Sequence, residues 1–389
     1  MQSINFADYP YYPAMRCDPG EHIGYRWLNN DDKSLILPIF ELCHFGKCPS
    51  VKKSVDQIKT SVGKRLFILD ICHDPAPPPY ISTNPKDEQA DAKRYSEEKE
   101  SQTAYNNFLG EMLNPSDGYI AWRNFSSTFE NAIPVIQHTE SDITGLQSLR
   151  QASMLSKNGK KIAIRLKITD GDTSFNKVLQ ILSILDSPEQ LLIIVDCGQG
   201  RILLKQRIEF ARTVMGKIVD GVDTKMRAGI RAVCVSGSYP DPDHQGIKVF
   251  SNEDWSIWKG ASEIFPFQYG DYAAMNRKIK KNTYMPNKFV PVVSYPTDKA
   301  WTIYRHDSLS DYFGWSAGAK LIVKHETFEP APNIEGVNLI KLASKDGAED
   351  MQSTRFWIGA KVNMHIHKQI HHAASVIFGS EGDDQGGDE

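Results

Sequence analysis

The sequence predicts a closed (β/α)8 barrel, and three observations support this fold class. Eight short β-rich runs recur along the 389-residue chain. Most of them precede a segment with the periodicity of a helix that packs one face on a sheet. An open, doubly wound sheet is the main alternative, but it would normally carry a glycine-rich phosphate turn after an early strand, and none is present. This alternation therefore favours a parallel sheet that closes on itself.

The predicted strands are, in chain order, residues 11–16, 36–42, 66–72, 132–137, 161–167, 191–197, 231–236 and 265–272. Helical periodicity is clearest at residues 55–62, 143–155, 175–185 and 202–219. We expect a TIM-barrel-like core over residues 1–286, a β-hairpin and C-terminal helix packed on it over 287–378, and a disordered acidic tail over 379–389. The proline-rich and then charged stretch 74–104 indicates a loop and helix inserted on the mouth side.

Composition and charge exclude several classes of protein. With 40% hydrophobic and 24% charged residues, the chain is typical of a globular protein that buries a large core. Lysine and arginine number 45 against 48 acidic residues, so the net charge of −3 gives no general attraction to nucleic acid or to an anionic membrane. The N-terminal residues lack a basic segment followed by an apolar run, and no apolar run reaches about 18 residues. We therefore expect a cytoplasmic protein.

Most of the predicted strands have a polar residue at their C-terminal end. Alternate side chains of a barrel strand point inward, and the inward ones nearest the C-terminal end line the mouth. In the fifth strand, the apolar residues Ile162, Ile164 and Leu166 take the outward face, which leaves Arg165 and Lys167 inward. The same reasoning places at the mouth Arg16, Glu41, Asp70, Gln137, Asp196, Ser236, Tyr269 and Asp271.

Such a cluster could bind a divalent metal ion, an anionic ligand, or both. The carboxylates would hold the metal or transfer protons, the cations would stabilise developing negative charge, and the tyrosine would orient the substrate. The residues predicted to be catalytic are Glu41, Asp70, Arg165, Lys167, Asp196, Tyr269 and Asp271, and those predicted to bind substrate include Arg16, Gln137 and Ser236. The alternative is a buried structural network or a polar cap.

Two further motifs carry weaker signals. His367 and His371, on the last predicted helix, stand four residues apart, as in some zinc pairs, but no glutamate lies between them as in HExxH. We expect these histidines to hydrogen-bond to the barrel or to solvent, with metal ligation as the alternative. The basic run at 276–282 lacks interleaved aromatic residues, which favours a solvated loop over a nucleic-acid contact.

Several motifs together resemble the phage-associated Beta protein family. They are, in order, YYPAMRCDPGE, ILPIFEL, IRLK, IIVDCG, VSGSYP, NEDWSIW, YGDYA and WTIYR, and the resemblance spans residues 9–372. It implies a role for the positions Arg16, Glu21, Glu41, Asp70, Arg165, Asp196, Ser236, Pro240, Glu253, Trp255, Tyr269, Gly270, Asp271 and Arg305, the last as a further substrate-binding residue. It supplies no reaction. The chain departs from the family pattern at Cys17 and Asp18 and in the long 74–104 insertion, which bears on the choice of partner or substrate.

Two functions stay open at this point. The first is a barrel enzyme, a hydrolase or lyase assisted by a divalent metal, acting on an anionic or phosphate-bearing small molecule or nucleotide. The second is a non-catalytic sensor or partner-binding component of a phage–host conflict system. An enzyme mouth should hold a carboxylate that no arginine or lysine pairs, open to a substrate-sized cavity, whereas a scaffold should show paired charges and a filled cavity.

The motif NEDWSIW predicts a short helix with a structural role. Trp255 and Trp258 are three residues apart and should share one face, packing as core beneath the mouth and not as a base-stacking platform. Replacing Trp255 by alanine should then destabilise the protein by about 3–5 kcal/mol. Replacing Asp271 by alanine should spare the fold and remove function.

Overall fold

Eight parallel strands form a closed barrel in the computed structural model of the chain. The structure describes residues 4–44, 51–76, 88–170, 174–241, 243–277, 289–309, 311–330, 333–345 and 353–379. The barrel strands are β1 Tyr11–Arg16, β2 Ile39–Leu42, β3 Phe67–Ile71, β4 Ala132–Ile136, β5 Ile162–Lys167, β6 Leu191–Gln199, β7 Arg231–Gly237 and, after the separate strand β8 Gly246–Ser251, β9 Gln268–Asp271. Strand β1 pairs with both β2 and β9, which closes the ring and confirms the predicted fold class.

Helices follow most of the barrel strands and cover the outside of the barrel. They are α1 Pro19–Arg26, α2 Asn30–Ser34, α3 Lys52–Val62, α4 Glu88–Met112, α5 Ser116–Ser126, α6 Leu146–Leu155, α7 Phe175–Leu182, α8 Leu204–Gly221, α9 Thr224–Arg227, α10 Asp254–Ser262, α11 Phe313–Val323, α12 Glu335–Ala343 and α13 Thr354–Phe378. The helices expected from periodicity correspond to α3, α6, α7 and α8. Among the described residues, no helix is long and apolar enough to cross a membrane.

Strand β5 shows how alternation builds the two sides of the barrel wall. Its residues Ile162, Ile164 and Leu166 join the core between sheet and helices. Ala163 instead packs in the barrel interior with Leu192 of β6 and other inward aliphatic residues. Because successive side chains of a strand point to opposite faces, Arg165 follows Ala163 into the barrel. The apolar interior below thus positions a polar layer at the C-terminal ends of the strands.

Glycines allow α1 and α13 to cross at close range. A Cβ on Gly24 would lie 2.7 Å from the carbonyl oxygen of Gly359, and a Cβ on Gly20 would lie 2.4 Å from Ile358. The amide of Asn363 reaches the carbonyl oxygen of Gly24 at 3.4 Å. Only a residue without a side chain fits these contacts, so the last helix packs directly on the first.

A second sheet lies beside the barrel. Strands β10 Val292–Pro296 and β11 Ala300–Arg305 form the predicted antiparallel hairpin. Strand β8 was not predicted from the sequence. It pairs with the edge of β11 that does not face β10, so a strand that precedes β9 in the chain joins the hairpin that follows β9. Its core, which includes Trp315 and Trp357, lies against α11, α12 and α13.

Helix α4, whose N-terminal part belongs to the 74–104 insertion, contacts the C-terminal ends of β2 and β3. Tyr105 of α4 donates a hydrogen bond to the carbonyl oxygen of Cys72, 3.1 Å away, and packs in the core beside the barrel. The backbone of Ala76 donates to the side-chain oxygen of Asn106 at 3.1 Å. Residues 77–87 of this insertion, residues 278–282 of the basic run and residues 380–389 of the acidic tail lie outside the described residues.

Candidate functional site at the barrel mouth

Arg165 lies at the centre of a buried ion cluster at the mouth. Its guanidinium donates to Asp196 Oδ2 at 2.9 Å, to Asp70 Oδ2 at 2.9 Å and to Glu41 Oε1. All four residues are at most 5% exposed. They come from β5, β6, β3 and β2, and we call them the Arg165 cluster. One planar guanidinium with five N–H donors is suited to this task, since it can bridge several carboxylates at once.

Two more side chains complete the charge pairing. Arg16, at the end of β1, donates from Nε to Glu41 Oε2 at 3.1 Å and from a terminal nitrogen to Asp74 Oδ2 at 2.9 Å. The hydroxyl of Tyr272, just after β9, donates to Asp196 Oδ1. Each carboxylate of the cluster therefore accepts hydrogen bonds from a guanidinium.

The pKa values of the cluster reflect this pairing. Burial by itself would raise the pKa of Glu41, but the charges of Arg165 and Arg16 outweigh burial and hold that pKa well below its usual range. Burial would lower the pKa of Arg165, whereas the three carboxylates raise it well above its ordinary value. Glu41 and Arg165 thus stay charged at neutral pH.

A small pocket opens beside the cluster. Its volume is about 20 Å³, which is room for about one water molecule. The polar residues that line it are Asp70, His73, Gln137, His138, Arg165, Lys167 and Asp170. Gln137 connects the pocket to the cluster, since its amide nitrogen lies 3.3 Å from Asp70 Oδ1 and its oxygen lies 2.9 Å from His73 Nε2.

Lys167 differs from the other cations of the mouth. Its backbone N–H donates to Asp170 Oδ2 at 2.8 Å, but its ammonium has no hydrogen-bond or ion-pair partner within the part of the chain that the structure describes. Burial, followed by the charge of Lys167, lowers the pKa of His73, and burial, followed by the charge of Lys177, lowers that of His138. Both imidazoles are therefore neutral near pH 7 and leave Lys167 as the free positive charge of the pocket.

The structure brings seven of the predicted site residues together. These are Arg16, Glu41, Asp70, Gln137, Arg165, Lys167 and Asp196. Four others do not join them. The predicted position at the mouth is wrong for Ser236, Tyr269 and Asp271, and Arg305, which was predicted to bind substrate, lies away from the cluster. Ser236 points away from the interior and donates to Asp254 Oδ1 of α10 at 2.7 Å. Arg305 lies at the end of β11, where it reaches the carbonyl oxygen of His244 at 3.4 Å.

Tyr269 and Asp271 lie on the outer face of β9 because Gly270 takes the inward position. A Cβ on Gly270 would lie 2.9 and 3.0 Å from the Cγ2 atoms of Val235 and Val233, which fill the interior. The strand comes too close to the barrel interior for any larger inward residue. Alternation then turns both neighbours outward, toward α10 and α13.

Asp271 forms the centre of a second buried polar group, outside the barrel. It accepts hydrogen bonds from the hydroxyls of Tyr11 at 2.5 Å and Tyr269 at 2.9 Å and from the backbone of Ala273 at 2.8 Å. Its Oδ2 also lies 2.8 Å from His365 Nε2 of α13. This group connects α13 to β9 of the barrel wall.

Trp255 covers this group from outside. Its ring stacks on Tyr269 with centroids 3.8 Å apart and planes at 4°, meets Trp258 edge-on at 5.4 Å, and donates from its indole nitrogen to Gln369 at 2.6 Å. The ring is half-buried. The two tryptophans thus share a packing face on the outer wall of the barrel.

We expect replacement of Trp255 by alanine to lower the free energy of unfolding by about 3 kcal/mol, since it removes the stacked ring and leaves Gln369 without its donor. Equilibrium denaturation measures this loss. The exposed neighbour Ser256 provides the control, because its replacement by alanine should change stability by less than about 0.5 kcal/mol. A Trp255 variant as stable as the Ser256 variant would contradict the packing role.

Sequence reasoning missed Tyr272, His138 and Asp170. His138 directly follows the predicted fourth strand, and Asp170 follows the fifth by a few residues, so both carried the signal of a polar residue after a strand end. Tyr272 could have been found only by assigning the inward face of β9 to Gly270, and the sequence provides no direct sign of that.

The carboxylates of the Arg165 cluster do not form a metal-ligand set, because each of them accepts from Arg165. Among the described residues, the group of three whose ligand atoms lie close enough to share an ion is Asp32, His367 and His371, away from this cluster. The sequence-based prediction of a divalent metal at the mouth gains no support from this geometry.

Fold and site together define a (β/α)8 barrel with a buried, arginine-centred charge cluster at its mouth. The chain belongs to the Beta protein family, whose model matches residues 11–371. It is similar to Protein beta of Enterobacteria phage P4, with 23% identity over 386 residues that cover 98% of this chain and 99% of that protein. Among solved structures it is similar to triosephosphate isomerase from Bartonella henselae, with 12% identity, a TM-score of 0.31 and coverage of 68% of this chain and 93% of that one.

Proposed function

We propose that this protein is a non-catalytic binding protein whose barrel mouth receives an anionic group, with Lys167 as the receiving cation. The observation that carries the proposal is the ammonium of Lys167, which lines the pocket without a partner among the described residues while the neighbouring guanidiniums are engaged. An unpaired cation beside neutral imidazoles attracts a negatively charged ligand.

The state of the three carboxylates in the Arg165 cluster favours binding over metal-assisted catalysis. A general acid or base works best with a pKa near the operating pH, whereas the pKa of Glu41 is held well below its usual range by the two arginines. Asp70 and Asp196 accept from the same guanidinium. The Arg165 cluster therefore supports the floor of the pocket rather than offering a free proton acceptor.

The size of the pocket limits what can enter. A volume of about 20 Å³ accepts about one atom of the size of a water molecule, so one oxygen of a terminal phosphate or carboxylate group would enter beside Lys167 and the rest of the ligand or partner would lie outside. The neutral histidines His73 and His138 line the same space. The single N–H of each is engaged, since Nε2 of His73 donates to Gln137 and Nε2 of His138 donates to the carbonyl oxygen of Arg165, so neither offers a free N–H to the pocket. Helix α4 borders this side of the barrel and would add recognition surface. Since a similar protein is encoded by a phage, we further propose that this binding serves a phage–host conflict, with the protein as a sensor or partner-binding component.

Titration with inorganic phosphate tests this function. We expect the purified protein to bind phosphate and Lys167→Ala to weaken binding at least about tenfold, since a charge-assisted hydrogen bond contributes roughly 1.5–3 kcal/mol. Lys157→Ala is the matched control, because Lys157 is exposed and follows α6 at the opposite end of the barrel. Equal binding by all three proteins, or no binding by any of them, would contradict the proposal.

One observation favours catalysis as a second candidate. His73 is neutral near pH 7 and is oriented by Gln137, which in turn contacts Asp70, and an oriented neutral imidazole is a suitable general base. Turnover of phosphate esters or nucleotides by the wild type that is lost in His73→Gln, with phosphate binding retained, would establish this candidate. Absence of turnover across such substrates would leave binding as the function.

A further inference from the structure

A cluster of two histidines and one aspartate stands apart from the mouth. His367 and His371 lie one turn apart on α13, and their rings are 4.6 Å apart. Asp32 belongs to α2, which precedes β2 and therefore lies toward the N-terminal ends of the barrel strands. Its Oδ2 lies 2.8 Å from His367 Nδ1, and its Oδ1 lies 3.5 Å from His371 Nε2.

We propose that Asp32, His367 and His371 bind a divalent transition-metal ion, Zn²⁺ by preference. Their three ligand atoms all lie within 4.8 Å of one another. Ligands at tetrahedral zinc are about 2.0–2.2 Å from the ion, which separates them from one another by roughly 3.4 Å. Modest side-chain movements would therefore bring all three to coordinating distance.

The type and burial of the ligands indicate which ion fits. Two imidazoles and one carboxylate suit Zn²⁺ and related transition metals, whereas Ca²⁺ and Mg²⁺ prefer sets of oxygen ligands. Asp32 is 3% exposed, and its described side-chain partners are these two histidines, with no lysine or arginine at its carboxylate. A buried carboxylate without a fixed cation favours a bound positive charge.

Exposure leaves the site open on one side. His367 is half-buried, whereas the side chain of His371 is 59% exposed and can adjust its rotamer to an incoming ion. Three protein ligands leave a fourth position for water, as at zinc sites that exchange ligands. The ion would also link α2 to α13, so that binding should stabilise the fold.

Calorimetric titration with Zn²⁺ of the full chain, after treatment with a chelator, tests the site. We expect one ion per chain. We also expect His371→Ala to weaken binding more than about 100-fold, since even the outer partners of metal ligands contribute roughly 10- to 100-fold. His371 is exposed, so this variant should fold. Co²⁺ as a second probe should give the visible absorption of a tetrahedral site without sulfur ligands, which separates this site from the cysteines.

His372→Ala is the matched control, because His372 is the next residue on the helix but faces Trp255, with ring centroids 4.5 Å apart. It should bind Zn²⁺ like the wild type, whereas Asp32→Asn should behave like His371→Ala. No binding by the wild type, wild-type affinity in His371→Ala, or a Co²⁺ spectrum with thiolate bands would each overturn the proposal.

Discussion

Replacing Arg165 by methionine should lower the free energy of unfolding by about 3–5 kcal/mol, the largest effect that we expect from a single substitution in the barrel. The guanidinium holds Glu41, Asp70 and Asp196 in a layer that is at most 5% exposed. Methionine fills a similar volume but supplies no charge and no donor. Removing one side of a buried ion pair leaves the other uncompensated, and that cost is about 3–5 kcal/mol. Denaturant unfolding at neutral pH measures it.

The pH dependence of stability gives a second signature of the same cluster. A carboxyl group whose pKa is lower in the folded state contributes stability above its unfolded value of about 4.3, and this stability is lost as the pH falls through the folded value. Glu41 has its folded pKa held well below the usual range, with Arg165 as the first of the charges that lower it. The wild type should therefore lose stability in acid, while Arg165→Met should lose less, so that the two proteins approach each other below about pH 4.

A surface arginine provides the control for this prediction. Arg150 pairs with Asp117 but is 51% exposed, and exposed pairs contribute about 0–1 kcal/mol. Arg150→Met should accordingly unfold close to the wild type, with an unchanged acid profile. If Arg165→Met matched Arg150→Met in both measurements, the cluster would not be a structural element of the barrel.

Asp271→Ala should be nearly as damaging, at about 3 kcal/mol or more. Strand alternation predicts Asp271 at the mouth, where its loss would spare the fold. In the structure, Asp271 is instead surrounded by the hydroxyls of Tyr11 and Tyr269 and the imidazole of His365. Each buried polar group left without a partner costs about 1–3 kcal/mol. Thermal and denaturant unfolding should both show the loss.

Two variants make the Asp271 prediction specific. Asp186 is exposed, so Asp186→Ala should change stability by less than about 0.5 kcal/mol. Asp271→Asn keeps one acceptor oxygen and should fall between the wild type and the alanine variant. A stable Asp271→Ala protein would show that the group beside α13 contributes little to the fold.

The barrel could be predicted because the alternation of side chains identifies the two faces of a strand when one face is apolar and the other is polar. In β5, the contrast between Ile162 or Ile164 and Arg165 identifies the inward face, and the seven residues that meet at the mouth follow from the same reasoning. In β7, both faces are apolar, with Ala232 and Cys234 on one and Val233 and Val235 on the other. The pattern therefore could not orient Ser236.

Features that depend on contacts between residues far apart in the chain could not be predicted from local sequence patterns. Strand β8 is mostly exposed, and its pairing partner β11 lies about fifty residues later, so no buried stripe marked it. The outward position of Asp271 depends on how closely β9 approaches Val233 and Val235. The division of the chain at residue 287 stays a prediction, since β8 pairs across it.

The crossing of α1 and α13 has a consequence for synthesis on the ribosome. Gly24 leaves the ribosome early, and its partner Gly359 follows roughly 330 residues later. At about 5–20 residues per second, the nascent chain must wait roughly 20–70 s before this surface can be covered, and β1 lacks one neighbour until β9 has been made. Chains that terminate before α13 should therefore expose the glycine face of α1, which makes them candidates for chaperone binding and proteolysis.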